Sequence, residues 1–148
     1  MQQNNQLTIP ALLGSSIEKY RANKALGFAG GNSLTYGELH NQILHLIDYL
    51  RAIGIEKGDR VAILSTNMPH WGSTYFAITS MGAVVVPLLP EFLPSEITKA
   101  LDHSEAKAIF VSEGLRHKIE DYKGEHLTTR VAIEDYTPLD APEKPLFD

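Results

Sequence analysis

Apolar positions along this chain recur in two rhythms. Up to about residue 54 they follow a helical period. From residue 60 onward they come as short continuous runs separated by helical stretches. A first helix is expected over residues 10–21, with Leu13, Ile17 and Tyr20 on one face and Pro10 in the first turn. Residues 26–29 and 33–35 then read as a hairpin, joined by Gly30, Gly31 and Asn32, which tolerate positive φ. Thr35 and Glu38 form the T-x-x-E pattern of a capping box, in which each side chain satisfies the other residue's backbone N–H. The helix they open carries Leu39, Ile43, Leu46, Ile47, Leu50 and Ile53 on one stripe, with Asn41, His45 and Asp48 opposite. Gly54 is its expected stop.

In the second half, strands are expected over residues 61–64, 84–87, 108–111 and 130–133. Helices are expected over 69–81, 95–103 and 113–122. Continuous rather than alternating runs indicate strands covered on both faces. Strand and helix in alternation indicate an α/β fold, a largely parallel sheet with helices on both faces. Residues 1–133 read as this α/β part. Residues 134–148 read as an acidic, proline-rich linker, with Pro138, Pro142 and Pro145 and little periodicity.

The helix over residues 69–82 has no charge on any face. Trp71, Tyr75, Phe76, Ala77, Ile78 and Met81 surround most of its cylinder, the pattern of a helix buried on more than one side. With helices on the outside of a small domain, the expectation is that a partner or a missing remainder covers it. Residues 1–148 alone should then expose an apolar patch and self-associate.

Composition narrows the classes. The 148 residues include no cysteine, which excludes a disulfide scaffold, a thiolate nucleophile and a Cys-ligated zinc. Net charge is −5, and residues 134–148 hold five acids and one lysine, so the body is close to neutral. It has no basic footprint for nucleic acid. The polar N-terminus has no basic-then-apolar signal pattern. Residues 61–90 lack Lys, Arg, Asp and Glu, but Asn67, Pro69, His70 and several Ser, Thr and Gly interrupt them, so they read as protein core rather than a membrane span. A cytoplasmic setting is expected.

Chemistry is sparse. Ser65, Thr66 and Asn67 stand between a strand and a helix, where phosphate can bind free N–H groups. No glycine-rich phosphate loop accompanies them, and the expectation is that Thr66 or Asn67 caps the helix. Glu113, His117 and Asp121 recur every four residues, a ligand-like spacing, but Arg116 and Lys118 flank the histidine and a solvated face is expected. His40, His45, His70, His103 and His126 form no metal motif, and no G-x-S-x-G nucleophile turn occurs. Spacing and chemistry therefore assign no catalytic, nucleotide-binding or metal-binding residue.

The order of the pieces is nevertheless distinctive. Leu34-Thr35-Tyr36-Gly37-Glu38-Leu39 is followed by Gly54-Ile55-Glu56-Lys57-Gly58-Asp59-Arg60-Val61-Ala62-Ile63-Leu64 and Asn67-Met68-Pro69. Then come Gly82-Ala83-Val84-Val85-Val86-Pro87-Leu88, Glu96-Ile97 and His103-Ser104-Glu105-Ala106-Lys107. This succession resembles the N-terminal region of the AMP-forming acyl-CoA synthetases, the adenylate-forming ligases, and within them the long-chain fatty-acid–CoA ligases. His70 and Leu89 depart from the family's usual Glu and small polar residue. The resemblance implies the N-terminal part of a large adenylation domain. It implies activation of a carboxylic acid with ATP and Mg²⁺ as acyl-adenylate, then transfer to CoA. It also implies that the phosphate loop, the ribose-binding Asp and the catalytic lysine lie beyond Asp148, so that this piece is scaffold and inactive alone. The full-length enzyme would be cytoplasmic or peripheral to a membrane. A stand-alone binding module, a peptide-synthetase adenylation domain and an aryl–CoA ligase are the alternatives.

Overall fold

The structure is a computed structural model and describes residues 7–140. It opens with α1 (Ile9–Tyr20), capped by the Thr8 hydroxyl accepting from the Ala11 N–H. β1 (Lys24–Gly27) and β2 (Ser33–Thr35) form an antiparallel hairpin. α2 (Tyr36–Ala52) starts at the expected capping box, with both reciprocal bonds formed. Those bonds hold the Glu38 carboxyl below its ordinary range, the Thr35 backbone N–H contributing most. Gly54 follows α2 at φ +85°, a backbone state that side chains resist. Then β3 (Arg60–Leu64), α3 (Pro69–Ser80), β4 (Val84–Leu88), α4 (Pro94–Ser104), β5 (Ala108–Val111) and β6 (Thr129–Ala132) alternate. β2 to β6 lie within one residue of their expected places, and β1 begins two residues early.

The larger sheet is parallel, with order β4-β3-β5-β6. α3 leads from β3 out to β4, and the chain returns past β3 through α4 to β5. Strand alternation divides the core between the two faces. Val61, Ile63, Ala108, Phe110 and Val131 pack with α1, α2 and α3. Ala62, Leu64, Ile109 and Val111 pack with Ile97 and Leu101 of α4 and with Ile119. All eight residues of β3 and β5 from Val61 to Leu64 and Ala108 to Val111 are fully buried, as continuous runs require.

Three expectations need correction. α3 is covered by this chain itself: the sheet lies on one side, and α2, α1 and the hairpin lie on the other. Ser73, Thr74, Ala77 and Ile78 are buried, and Trp71, Tyr75 and Phe76 half-buried. The amphipathic stripes of α1 and α2 supply the second layer that one helix's pattern cannot reveal. Gly72 marks the close approach, since a Cβ there would stand 2.8 Å from Leu26 Cδ1. The exposed apolar side chains instead include Leu7, Ile9, Leu12 and Tyr20 in and beside α1, Phe28, Leu44, and Val84, Leu89 and Leu93 around β4.

The second correction is at residues 113–122. A 3₁₀ turn, Glu113–Lys118, replaces the expected α-helix. It buries none of its own residues, so no apolar stripe sustains a longer helix. The third concerns residues 134–140, which pack back on the domain rather than leading away as a linker. Tyr136 is 1% exposed, and Pro138 bridges Val131 antiparallel along the outer side of β6. The rest of the proposed linker, residues 141–148, lies outside the described residues. No helix among the described residues is long and apolar enough to cross a membrane.

Candidate functional site

Open parallel α/β sheets bind ligands beyond the carboxyl ends of their strands, where the strand order reverses. Here the reversal falls between β3 and β5. Ser65 follows one strand and Ser112 the other, and both are buried. The Ser112 N–H donates to the Leu64 carbonyl at 3.0 Å, so the ladder runs one step past the strands. Alternation directs both serine side chains to the α3 face, the side taken by Ile63 and Phe110. Ser65 Oγ donates to the Thr66 carbonyl at 2.8 Å. Ser112 Oγ is buried without a hydrogen-bond partner among the described residues.

α3 begins beside them. Its N-cap is Met68, and no side chain caps it. Thr66 and Asn67 do not have the expected role. Pro69 fixes the first helical position, so the cap falls to Met68, and both polar residues stand exposed before it.

Tyr136 fills the space over Phe110. Its ring meets Phe110 edge-on at 6.1 Å and His70 at 5.3 Å. Its O–H donates to the His70 carbonyl at 3.3 Å and accepts from Thr74 Oγ1 at 3.4 Å. Tyr136 adopts φ +59°, a costly state for a side chain of this size, so its burial must outweigh that strain. Burial pushes the Tyr136 hydroxyl well above its ordinary range. Burial also holds the His70 imidazole below its ordinary pKa, against the opposing pull of Glu134 and Asp135.

The cations at this end are engaged. Lys118 Nζ donates to the carbonyls of Pro90 and Phe92, which follow β4. Arg116 pairs with Glu113 at 2.7 Å. The Glu113 N–H in turn donates to Glu134 Oε1 at 2.8 Å. Glu113, His117 and Asp121 therefore do not converge, and no group of three His, Asp or Glu among the described residues could hold a metal ion. His117 and Asp121 instead line a polar cavity of about 380 Å³ with Thr98, Asp102, Lys118 and Tyr122. Burial first, then the hydrogen bond from its O–H to Asp102, push Tyr122 up to about 12. An apolar groove of about 250 Å³ lies between α1, β1, the start of α2 and α3.

This end offers hydroxyls, an uncapped helix start and carboxylates. Among the described residues it has no uncommitted lysine or arginine over the switch point and no base beside a nucleophile. The residues do not fit a nucleoside triphosphate, whose charge needs a cationic or glycine-rich cradle. Spacing alone did not single out Tyr136, Lys118 or Ser112. The serine had a legible signal, being the first residue past a fully apolar strand.

The AMP-binding enzyme family matches residues 14–146 of this chain. A long-chain-fatty-acid–CoA ligase of Thermus thermophilus is 35% identical over 106 residues, 70% of this chain and 20% of that protein. A feruloyl-CoA synthase of an Amycolatopsis species is 42% identical over 80 residues, 54% of this chain and 16% of that protein. Among solved structures, an anthranilate CoA ligase in complex with anthranoyl-AMP superimposes with TM-score 0.80 at 20% identity, over 86% of this chain and 26% of that one. The chain spans about a fifth of the length of the curated relatives it matches.

Proposed function

Since this chain belongs to the AMP-binding enzyme family, among the adenylate-forming acyl-CoA ligases, we propose that it serves as the N-terminal scaffold of an enzyme that activates a long-chain fatty acid. The reaction would join the carboxylate to the α-phosphate of ATP, release pyrophosphate with Mg²⁺ support, and pass the acyl group to CoA. The residues described here take no step in that chemistry. They build a rigid sheet whose carboxyl end faces the rest of the enzyme, and ATP, Mg²⁺ and CoA are held by segments outside residues 7–140.

The observation carrying this reading is the family match across residues 14–146, together with a doubly wound sheet whose switch point lacks a phosphate cradle. Likeness to the Thermus ligase supports the long-chain acid. The feruloyl-CoA synthase favours a second reading, an aryl acid. The test is acid-dependent ATP–pyrophosphate exchange by the whole reading frame that carries this chain. Hexadecanoate should support exchange at least about tenfold faster than ferulate or benzoate at equal concentration. Preference for an aryl acid would replace the long-chain reading with the second. No exchange with any carboxylic acid would overturn the ligase proposal.

A further inference from the structure

One lysine at the carboxyl end joins two loops that the sheet itself leaves apart. β3 is paired on both sides, to β4 and to β5. Lys118 belongs to the 3₁₀ turn after β5, and its neighbour Ile119 is anchored in the core on the α4 face. Its ammonium donates to the carbonyls of Pro90 and, at 2.9 Å, Phe92, in the loop after β4. The two bonds therefore span β3 at its carboxyl end and tie together the loops that flank it.

The tied loop is short and internally fastened. The Phe92 N–H donates to the Leu89 carbonyl at 3.1 Å, closing a turn whose second residue is Pro90, where a fixed φ suits. The Leu93 N–H donates to Glu96 Oε2 at 2.7 Å. Phe92 packs against the core beside α4. Lys118 adds the remaining restraint. It pairs with no carboxylate among the described residues, so its charge is spent on backbone carbonyls. Charge-assisted bonds of this kind are stronger than neutral ones, and they offset the conformational entropy lost in fixing so long a side chain. The brace sets the distance between two loops at the end of the sheet where parallel α/β folds bind ligands.

We propose that Lys118 is a positioning residue for the ligase reaction: by bracing the β4–α4 loop against the turn after β5, it holds one wall of a substrate site. The proposal rests on the ligase reading given above and on bonds formed wholly within the described residues. Lys118 acts through the loop and not on a reacting atom, so its loss should disturb the binding of one substrate rather than the fold.

Lys118→Met in the whole reading frame tests this, with KM measured separately for acid, ATP and CoA. The KM of one substrate should rise about tenfold, with the other two within about twofold of wild type. Loss of folded enzyme would instead lower kcat, leave all three KM values as they were, and overturn the proposal. Lys118→Arg keeps donors for both carbonyls and should bring the raised KM back toward wild type. Pro90→Gly frees the same turn without touching Lys118 and should raise the same KM by a smaller factor. It decides the question by itself if Lys118→Met does not fold. Folded variants with three unchanged KM values, or with a rise shared equally by all three substrates, overturn the proposal. A wild-type enzyme without acid-dependent exchange overturns the ligase reading, and the proposal with it.

Discussion

The amino and carboxyl ends of the parallel strands are fastened by different chemistry. At the amino end, charges join neighbouring strands. Arg60 donates to the Ser104 carbonyl at 2.6 Å and pairs with Glu105 at 3.2 Å, while Lys107 meets Asp59 at 2.9 Å. Asp59 also accepts from the Glu56 N–H at 2.8 Å. At the carboxyl end, one aromatic plug, Tyr136, meets Phe110, His70 and Thr74, and the buried Ser112 hydroxyl has no partner among the described residues. The amino end is a polar surface seam whose loss water can repair. The carboxyl end is a buried assembly whose parts water cannot replace. Burial, rather than the number of hydrogen bonds, thus sets what each end contributes to stability.

The largest test of that contrast is Tyr136→Ala. It empties a buried aromatic site and should cost about 3–5 kcal/mol in denaturant unfolding, even with some relief of backbone strain. A loss below about 1 kcal/mol would place residues 134–140 outside the cooperative core, as a linker would be.

Asp59→Asn at the other end should cost about 1 kcal/mol or less in the same measurement, because Lys107 stays solvated. The two ends should also respond to acid in separate windows. The depressed His70 pKa means the unfolded chain binds a proton more readily, so its contribution is lost as pH falls below the ordinary value of 6.5. Asp59, whose carboxyl Lys107 holds low first and the Glu56 N–H second, contributes above its ordinary 3.8 and loses that only at lower pH. His70→Gln should flatten the stability–pH curve in the upper window and leave the lower one, with Asp59→Asn doing the reverse. Thermal unfolding across pH 3–8 reads both.

Ser112→Ala should have the smallest effect. Removing a buried hydroxyl that has no partner should leave stability within about 0.5 kcal/mol or raise it slightly. A loss above about 1.5 kcal/mol would reveal a hydrogen bond to ordered water at the switch point.

These contrasts bear on what the sequence made legible. Strands were visible because burial on both faces forces continuous apolar runs, and the Thr35–Glu38 box because its chemistry is local. The cover on α3 was not, since it depends on where α1 and α2 dock. The plug was hidden by composition: Tyr136 sits among acids and prolines that resemble a linker, and one aromatic makes no period. Glu113, His117 and Asp121 stand exposed, the solvated face expected of them, although a 3₁₀ turn over Glu113–Lys118 takes the place of the expected helix. The candidate site was the least legible part. Its serines, uncapped helix and engaged lysine matter through position, which the sequence does not print.

Nucleotide chemistry by the 148-residue chain itself tests the central claim, that this part of the family fold is scaffold. Purified residues 1–148, with ATP, Mg²⁺ and hexadecanoate, should give no pyrophosphate exchange above the protein-free rate, because the described carboxyl end has no cradle for the triphosphate. Fatty-acid-dependent exchange by this chain alone would contradict the account and put a working nucleotide site within it.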